Sequence, residues 1–300
     1  MTSGTDVRSP LDGPAAPLRC TTQTAIAVTE NLTDLPMKKS HNYTLHKLVL
    51  LVLFVSTASA EGADVGAPHL STAPQEAVRW GLGVGVDVKR SLYDGVGTRS
   101  TALPLIQFEG DLVRAFGNRL DVNLSSVGPV KLSLRTQFPV GEGYKSSDSP
   151  RLAGMGERKG AVLVGVASSW HCELVDLMLA WLKSAGGGKR GATIRLGAEH
   201  AFGIGPTTLV PHLEVSSYDR RYVDYFYGVT SAEATASRST YQGRGARSTQ
   251  LGIRVQQALD PHQRIFVDVS STRYGNGITD SPIVSKAVEP SVKVGYSYTF

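Results

Sequence analysis

The sequence predicts an all-β protein: a transmembrane antiparallel β-barrel of ten to twelve strands, preceded by a signal peptide. Three observations predict it. Residues 37–60 read as an export leader, short segments of strict apolar/polar alternation recur along the rest of the chain, and the last of these ends on an aromatic residue, Phe300.

The leader comes first. Met37-Lys38-Lys39 supplies the positive start, Leu48 to Val55 an apolar run, and Ala58-Ser59-Ala60 a small-residue cleavage site ahead of Glu61. The run holds eight strongly apolar residues, against the roughly 20 that a helix needs to cross a bilayer, so cleavage rather than membrane arrest is expected. No cysteine follows the site, which does not fit a lipid-modified leader. Residues 1–36, rich in Thr, Pro and Ala and without periodicity, read either as a disordered extension or as a mis-assigned start, the true start being Met37. Residues 61–78 are then a short periplasmic segment, and 79–300 the barrel.

Strand periodicity is plainest at Trp80, Leu82, Val84, Val86 and Val88, which alternate with Gly81, Gly83, Gly85 and Asp87. The same two-faced pattern returns at Leu120–Leu124, Val130–Leu134, Ala192–Ala198 and Leu251–Val255. A soluble sandwich alternates too, so alternation does not choose between sandwich and membrane barrel. The leader and the ending choose. In the final segment Val292, Val294, Tyr296, Tyr298 and Phe300 share a face, and a terminal aromatic on such a strand resembles the outer-membrane assembly signal. Tyr296, Tyr298 and Phe300 would also sit in an interfacial aromatic girdle.

Turn residues divide the chain into segments near 79–88, 101–109, 111–116, 119–126, 129–138, 160–170, 172–183, 190–201, 207–217, 248–259, 263–273 and 287–300, which is twelve. An even number returns the chain to its side of entry and puts the long connections 89–100, 139–159, 218–247 and 274–286 on one face. The segment 172–183 also fits a helical face through Leu174, Leu177, Met178, Trp181 and Leu182, ended by Gly186-Gly187-Gly188, and a helix there would break the parity.

Composition bounds the function. The 300 residues are 41% hydrophobic, and the formal charge of +5 is scattered in singles and pairs, which gives nucleic-acid binding no basis. The cysteines are Cys20 and Cys172, so a mature chain lacking Cys20 has no internal disulfide.

Two stretches then carry a resemblance: Asp224-Tyr225-Phe226-Tyr227-Gly228-Val229, followed by Glu233 and Tyr241, and Thr279-Asp280-Ser281-Pro282-Ile283-Val284. With Gly81-Leu82-Gly83-Val84-Gly85, Tyr93, Gly95, Pro104-Leu105-Ile106, Glu109-Gly110-Asp111 and Leu152-Ala153-Gly154-Met155, the chain from about Trp80 to Phe300 resembles the MipA/OmpV family, the MltA-interacting outer-membrane proteins. The resemblance implies localisation in the outer membrane of a Gram-negative bacterium, contact with its lipid, no cofactor and no catalytic residues. It also implies a scaffold joining a lytic murein transglycosylase to a bifunctional penicillin-binding protein. Residues 171–188 depart from the family pattern.

Other chemistry finds less support. His171, Cys172 and Glu173 are adjacent on a strand and point to alternate faces, which opposes a shared metal. Ser169 near His171, or Ser216 near His212, would need an oriented base and oxyanion donors before serving a hydrolase. Inward charges such as Arg195, Glu199, Arg254, Asp268 and Lys293 suit a small porin-like channel. The densest aromatic and charged cluster, Tyr222, Asp224, Tyr225, Phe226, Tyr227 and Gly228, is the candidate interaction loop, or a plug folded into the lumen.

Overall fold

The computed structural model describes residues 78–186 and 190–300. The leader residues Ala58, Ala60 and Glu61, with all of 1–77, lie outside the described residues.

Twelve strands close on themselves. In chain order they are β1 (Arg79–Arg90), β2 (Thr98–Glu109), β3 (Val113–Phe116), β4 (Arg119–Val127), β5 (Val130–Gln137), then, after the two-residue β6 (Gly143–Tyr144) and β7 (Arg158–Lys159), β8 (Leu163–His171), β9 (Asp176–Ser184) and β10 (Ala192–Glu199). A short β11 (Phe202–Ile204) precedes β12 (Thr207–Tyr218), β13 (Ala246–Ala258), β14 (Gln263–Tyr274) and β15 (Val288–Thr299). Each barrel strand pairs antiparallel with its neighbours, and β15 pairs with β1 from Gly81↔Thr299 to Lys89↔Ser291, so the sheet has no free lateral edge there. The pair β6–β7 and the hairpin partner β11 stand outside the ring of twelve.

The segment at 172–183 is a strand, β9, beginning at Asp176. Ladders to β8 on one side and β10 on the other pair its backbone along its length, which outweighs the helical spacing of its leucines. Parity along each strand follows the alternation. On β1 the side chains from Trp80 to Val88 point outward, and Asp87 and Lys89 point into the lumen. Val292, Val294, Tyr296 and Tyr298 do the same on β15. A bulge between Asn123 and Ser125 on β4 sets Leu124 out of the ladder and shifts the outward parity for the rest of that strand. The exposed apolar residues thus form a continuous outer belt, with Val84 64%, Leu134 48% and Ile253 42% accessible. A surface so broad and so apolar is stable against hydrocarbon, not water.

Inside, the lumen is packed. Asp268, Ser270, Thr193, Ser216 and Arg135 point inward and are buried. Arg135 makes a two-pronged pair with Asp121, both bonds at 2.7 Å, and Asp268 accepts from Arg254 Nε and meets His212 Nε2, each at 3.1 Å. Gly252 lies between His212 and Ser270, and any side chain on it would collide with both. These residues line the barrel interior as a polar belt, each pair made between adjacent strands or strands one apart in the sheet.

One part of the wall is irregular. β3 is four residues long and meets β2 only at Gln107–Glu109, after which Gly117 N–H donates to Ile106 O at 2.9 Å and the hairpin turns back. The upper part of β2, including Pro104, therefore lacks a strand neighbour on that side, and proline, with no N–H to leave unpaired, suits such an edge. The segment following β5 fills the notch: Arg99 Nη1 donates to Gly143 O at 2.5 Å, and Gly141 lies against Thr101.

Candidate functional site: the loop cap and the chamber beneath it

The connections 91–97, 138–162, 219–245 and 275–287 all emerge at one end of the barrel and pack on one another. Their centre is a helix, α1 (Arg220–Tyr227), where the sequence reading expected only a loop. Asp219 starts it, its carboxylate accepting Tyr222 N–H at 2.7 Å. Residues four apart then share a face: Tyr218 stacks on Tyr222 at 4.8 Å between ring centroids, and Tyr222 lies 4.7 Å from Phe226. Val223, Phe226 and Tyr227 are buried in a cluster with Leu92, Tyr93, Leu152, Ile278 and Ile283.

The candidate residues thus divide. Phe226, Tyr227 and Gly228 are buried, Tyr222 and Tyr225 are half-buried, and Asp224 is exposed. Most of the aromatic surface of this loop is thus used in packing within the cap. Asp224 is structural: its backbone carbonyl accepts Gly228 N–H at 2.9 Å and its carboxylate accepts Gly243 N–H at 2.8 Å, tying both ends of the connection together.

The second motif fastens the helix to the neighbouring loop. Ser281 Oγ donates to Tyr227 O at 2.6 Å, Ile283 O accepts Asp94 N–H at 2.9 Å, and Val284 bridges to Tyr93. Pro282 lies between these contacts, and Asp280 pairs at the surface with Arg244 at 2.9 Å. Tyr93 completes the junction by donating its hydroxyl to Phe226 O at 3.2 Å. Burial pushes the phenols of Tyr93 and Tyr227 well above their ordinary range, in keeping with groups that act here as packing and neutral donors.

Two arginines that sequence reasoning missed lock the cap. Arg158 meets both oxygens of Glu233, at 2.8 and 3.0 Å. Arg238 gives its guanidinium entirely to backbone carbonyls, at Glu233, Arg151 and Ala153. Nothing in the Ser-, Thr- and Ala-rich stretch around Arg238 marks it. A third tie, Arg99 to Asp148, joins the cap to β2.

Below the cap and above the polar belt lies a chamber of about 210 Å³, roofed by Tyr222, Phe226 and Tyr227. Its walls carry Asp87, Lys89, Glu214, Arg195, Glu289 and Lys293 from the strands, and Glu142 from the notch segment.

The pairs proposed for hydrolysis are not brought together as such. His171 Nδ1 sits 2.9 Å from Asp176 in a turn at the opposite end, His212 is held by Asp268, and Ser216 donates to Glu214 at 3.0 Å. At that same end Trp80 stacks on Phe300 with centroids 3.8 Å apart, Tyr298 meets Phe300 edge-on at 5.1 Å, and Tyr296 donates to Gln263 at 2.9 Å. Trp80, Tyr298 and Phe300 thus form one aromatic cluster at this rim, where β15 closes on β1.

Comparison with known proteins follows this geometry. The family described as MltA-interacting protein MipA matches residues 82–300, a span that includes α1, both motifs and the terminal strand. The putative outer membrane protein YiaT of Escherichia coli (strain K12) is 24% identical over 221 residues, covering 73% of this chain and 90% of its own length. The MltA-interacting protein of Escherichia coli (strain K12) is 23% identical over 256 residues, covering 85% and 99%. The outer membrane protein OmpV of Vibrio cholerae is 33% identical over 101 residues, 34% of this chain and 39% of that one. Among solved structures, the NanC porin is similar with a TM-score of 0.36 at 13% identity, covering 74% of this chain and 99% of that one. This chain is a twelve-stranded barrel of the Gram-negative outer membrane, and it belongs to the MipA family of MltA-interacting proteins.

Proposed function

We propose that the barrel is a non-enzymatic scaffold of the cell envelope, presenting its periplasmic turns to a lytic murein transglycosylase and to a bifunctional penicillin-binding protein. The observation that carries this reading is the covered interior: ion-paired side chains line the lumen and an aromatic cap packs over one end of it, which leaves the turns at the other end as the surface for work. Those turns expose apolar tips, with Leu112 65%, Leu174 71% and Ile204 66% accessible. Apolar anchors ringed by polar residues are what a partner protein needs. The likeness to the MltA-interacting protein of Escherichia coli, over 85% of this chain, supports the choice of a transglycosylase.

The test is capture of a purified lytic transglycosylase by the detergent-folded barrel. Binding at micromolar concentration, weakened at least tenfold by Leu174→Glu with Ile204→Glu, is the expected result. Absence of binding at that concentration removes the scaffold reading.

The alternative, a small porin-like channel for small solutes, draws on one observation, the charged chamber under the cap. Conductance across a planar bilayer separates the two.

A further inference from the structure

The chamber holds several charges that meet no partner. In the belt below, Arg135 has Asp121 and Asp268 has His212 and Arg254. In the chamber, among the described residues, Arg195, Lys293 and Glu142 have no ion pair or side-chain hydrogen bond. Arg195 Nε is fully enclosed and has no acceptor. Native proteins seldom leave such a group unmet without a use for it.

The balance of charge narrows what could meet them. Lys89, Arg99, Arg195 and Lys293 line the space, and so do Asp87, Glu142, Glu214 and Glu289. A simple anion would face as many carboxylates as cations, and a simple cation the reverse. A molecule carrying both charges a few ångströms apart satisfies both sets. Burial pushes the Glu142 carboxyl up, against the pull of Arg195 and Lys89, so an ammonium placed beside it would relieve a real penalty. The stacked rings of Tyr218 and Tyr222 also border the space and give it an apolar wall for a side chain to pack on. A cavity of roughly 150 Å³ takes a benzene-sized molecule, so a chamber of about 210 Å³ takes a solute of about eight non-hydrogen atoms.

We propose that this chamber binds a free amino acid, its carboxylate on Arg195 and its ammonium on Glu142, with the side chain against the tyrosine wall. This goes beyond the scaffold reading and does not depend on it. Beside β2 the chamber is walled by the irregular segment containing Gly141 and Gly143 rather than by a paired strand. Both glycines have left-handed backbone angles, φ 65° and 86°, and Arg158 O lies against Gly143 where a Cβ would sit.

The experiment is calorimetric titration of the detergent-folded protein with glycine, alanine, leucine and phenylalanine, with ethylamine and propionate as single-charge controls. Saturable binding of at least one amino acid is expected, tenfold or more tighter than either control, and tenfold or more weaker in Glu142→Gln and in Arg195→Gln. Folding of each variant is checked by heat-modifiable gel migration. Should Arg195→Gln not fold, Arg195→Lys keeps the charge but not the planar fork, and the same weakening is expected. No binding by the wild-type protein up to about 10 mM, the weakest affinity worth the name for a built site, overturns the proposal. So does propionate binding as tightly as the amino acid, or wild-type affinity in both variants. Transglycosylase capture is untouched by any of these results, so the two readings fail separately.

Discussion

Loss of Arg238 should open the cap and leave the barrel intact. The side chain is 6% exposed, and its guanidinium donates to Glu233 O at 3.0 and 2.7 Å, to Arg151 O at 2.7 Å and to Ala153 O at 3.0 Å. It thereby joins the connection before β8 to the one before β13. Arg238→Met keeps much of the stem and removes every donor. Hydrogen bonds to a charged group contribute about 1.5–3 kcal/mol each, and three carbonyls lose their partner. Water recovers part of this at the protein's outer end, so the net cost to the closed cap is about 3–5 kcal/mol. At 1.4 kcal/mol per factor of ten, the open population rises by about two to three and a half orders of magnitude. Amide hydrogen exchange reads this directly. Protection should collapse at Met155, Val229 and Tyr241, whose N–H groups are bonded within the cap, and persist on β13 and β14. Unchanged exchange in the cap, or equal loss in the strands, would refute the reasoning.

Three further predictions follow from other contacts. Burial alone would raise the Glu233 carboxyl, yet N–H donation from Gly156 and Thr230, the Thr230 hydroxyl and Arg158 hold it at about 2. Its folded pKa lies below the ordinary value, so its contribution is complete above about pH 4.5, fades as the pH falls toward 2, and is worth about 1–2 kcal/mol after screening at this rim; cap exchange should accelerate over that interval and Glu233→Gln should remove the dependence. A Cβ on Gly141 would lie 3.4 Å from Thr101 Cβ, just under the ordinary disulfide range, at a left-handed φ of 65° that strains a cysteine; Thr101→Cys with Gly141→Cys in a Cys172→Ser background should still cross-link on oxidation, giving a gel shift reversed by reductant, and failure to cross-link in a variant shown folded by its heat-modifiable migration would mean the notch is not filled as described. Phe300→Ala removes the stack on Trp80, and the heat-modifiable form recovered from the outer membrane should fall several-fold, whereas normal recovery would deny the girdle its part in assembly.

The strands were legible because the side chains of a barrel answer to two solvents, lipid outside and a polar lumen inside, at every second residue. Twelve segments and their parity could be read from that signal alone, with ends displaced by a few residues, as at β2, which begins at Thr98. Local sequence did not mark the bulge at Leu124, because an extra residue in a ladder is visible only against the partner strand. At 172–183 a helical spacing and a strand competed, and ladders to β8 and β10, which no local pattern shows, decided it. The helix α1 was within reach: Asp219 as its first residue and Tyr218, Tyr222 and Phe226 at intervals of four are its signature, obscured by a length of only eight residues. The chamber was not. Lys89, Glu142, Arg195 and Lys293 come from distant parts of the chain and meet only once the barrel has closed.

Single-channel recording in a planar bilayer tests most directly whether the capped interior is shut to ions. Purified, folded wild-type protein should give no stable conductance steps, because the aromatic cap packs over one end and charged side chains crowd the interior below it. Steady ohmic steps from the wild-type barrel, persisting without any substitution in the cap, would contradict it.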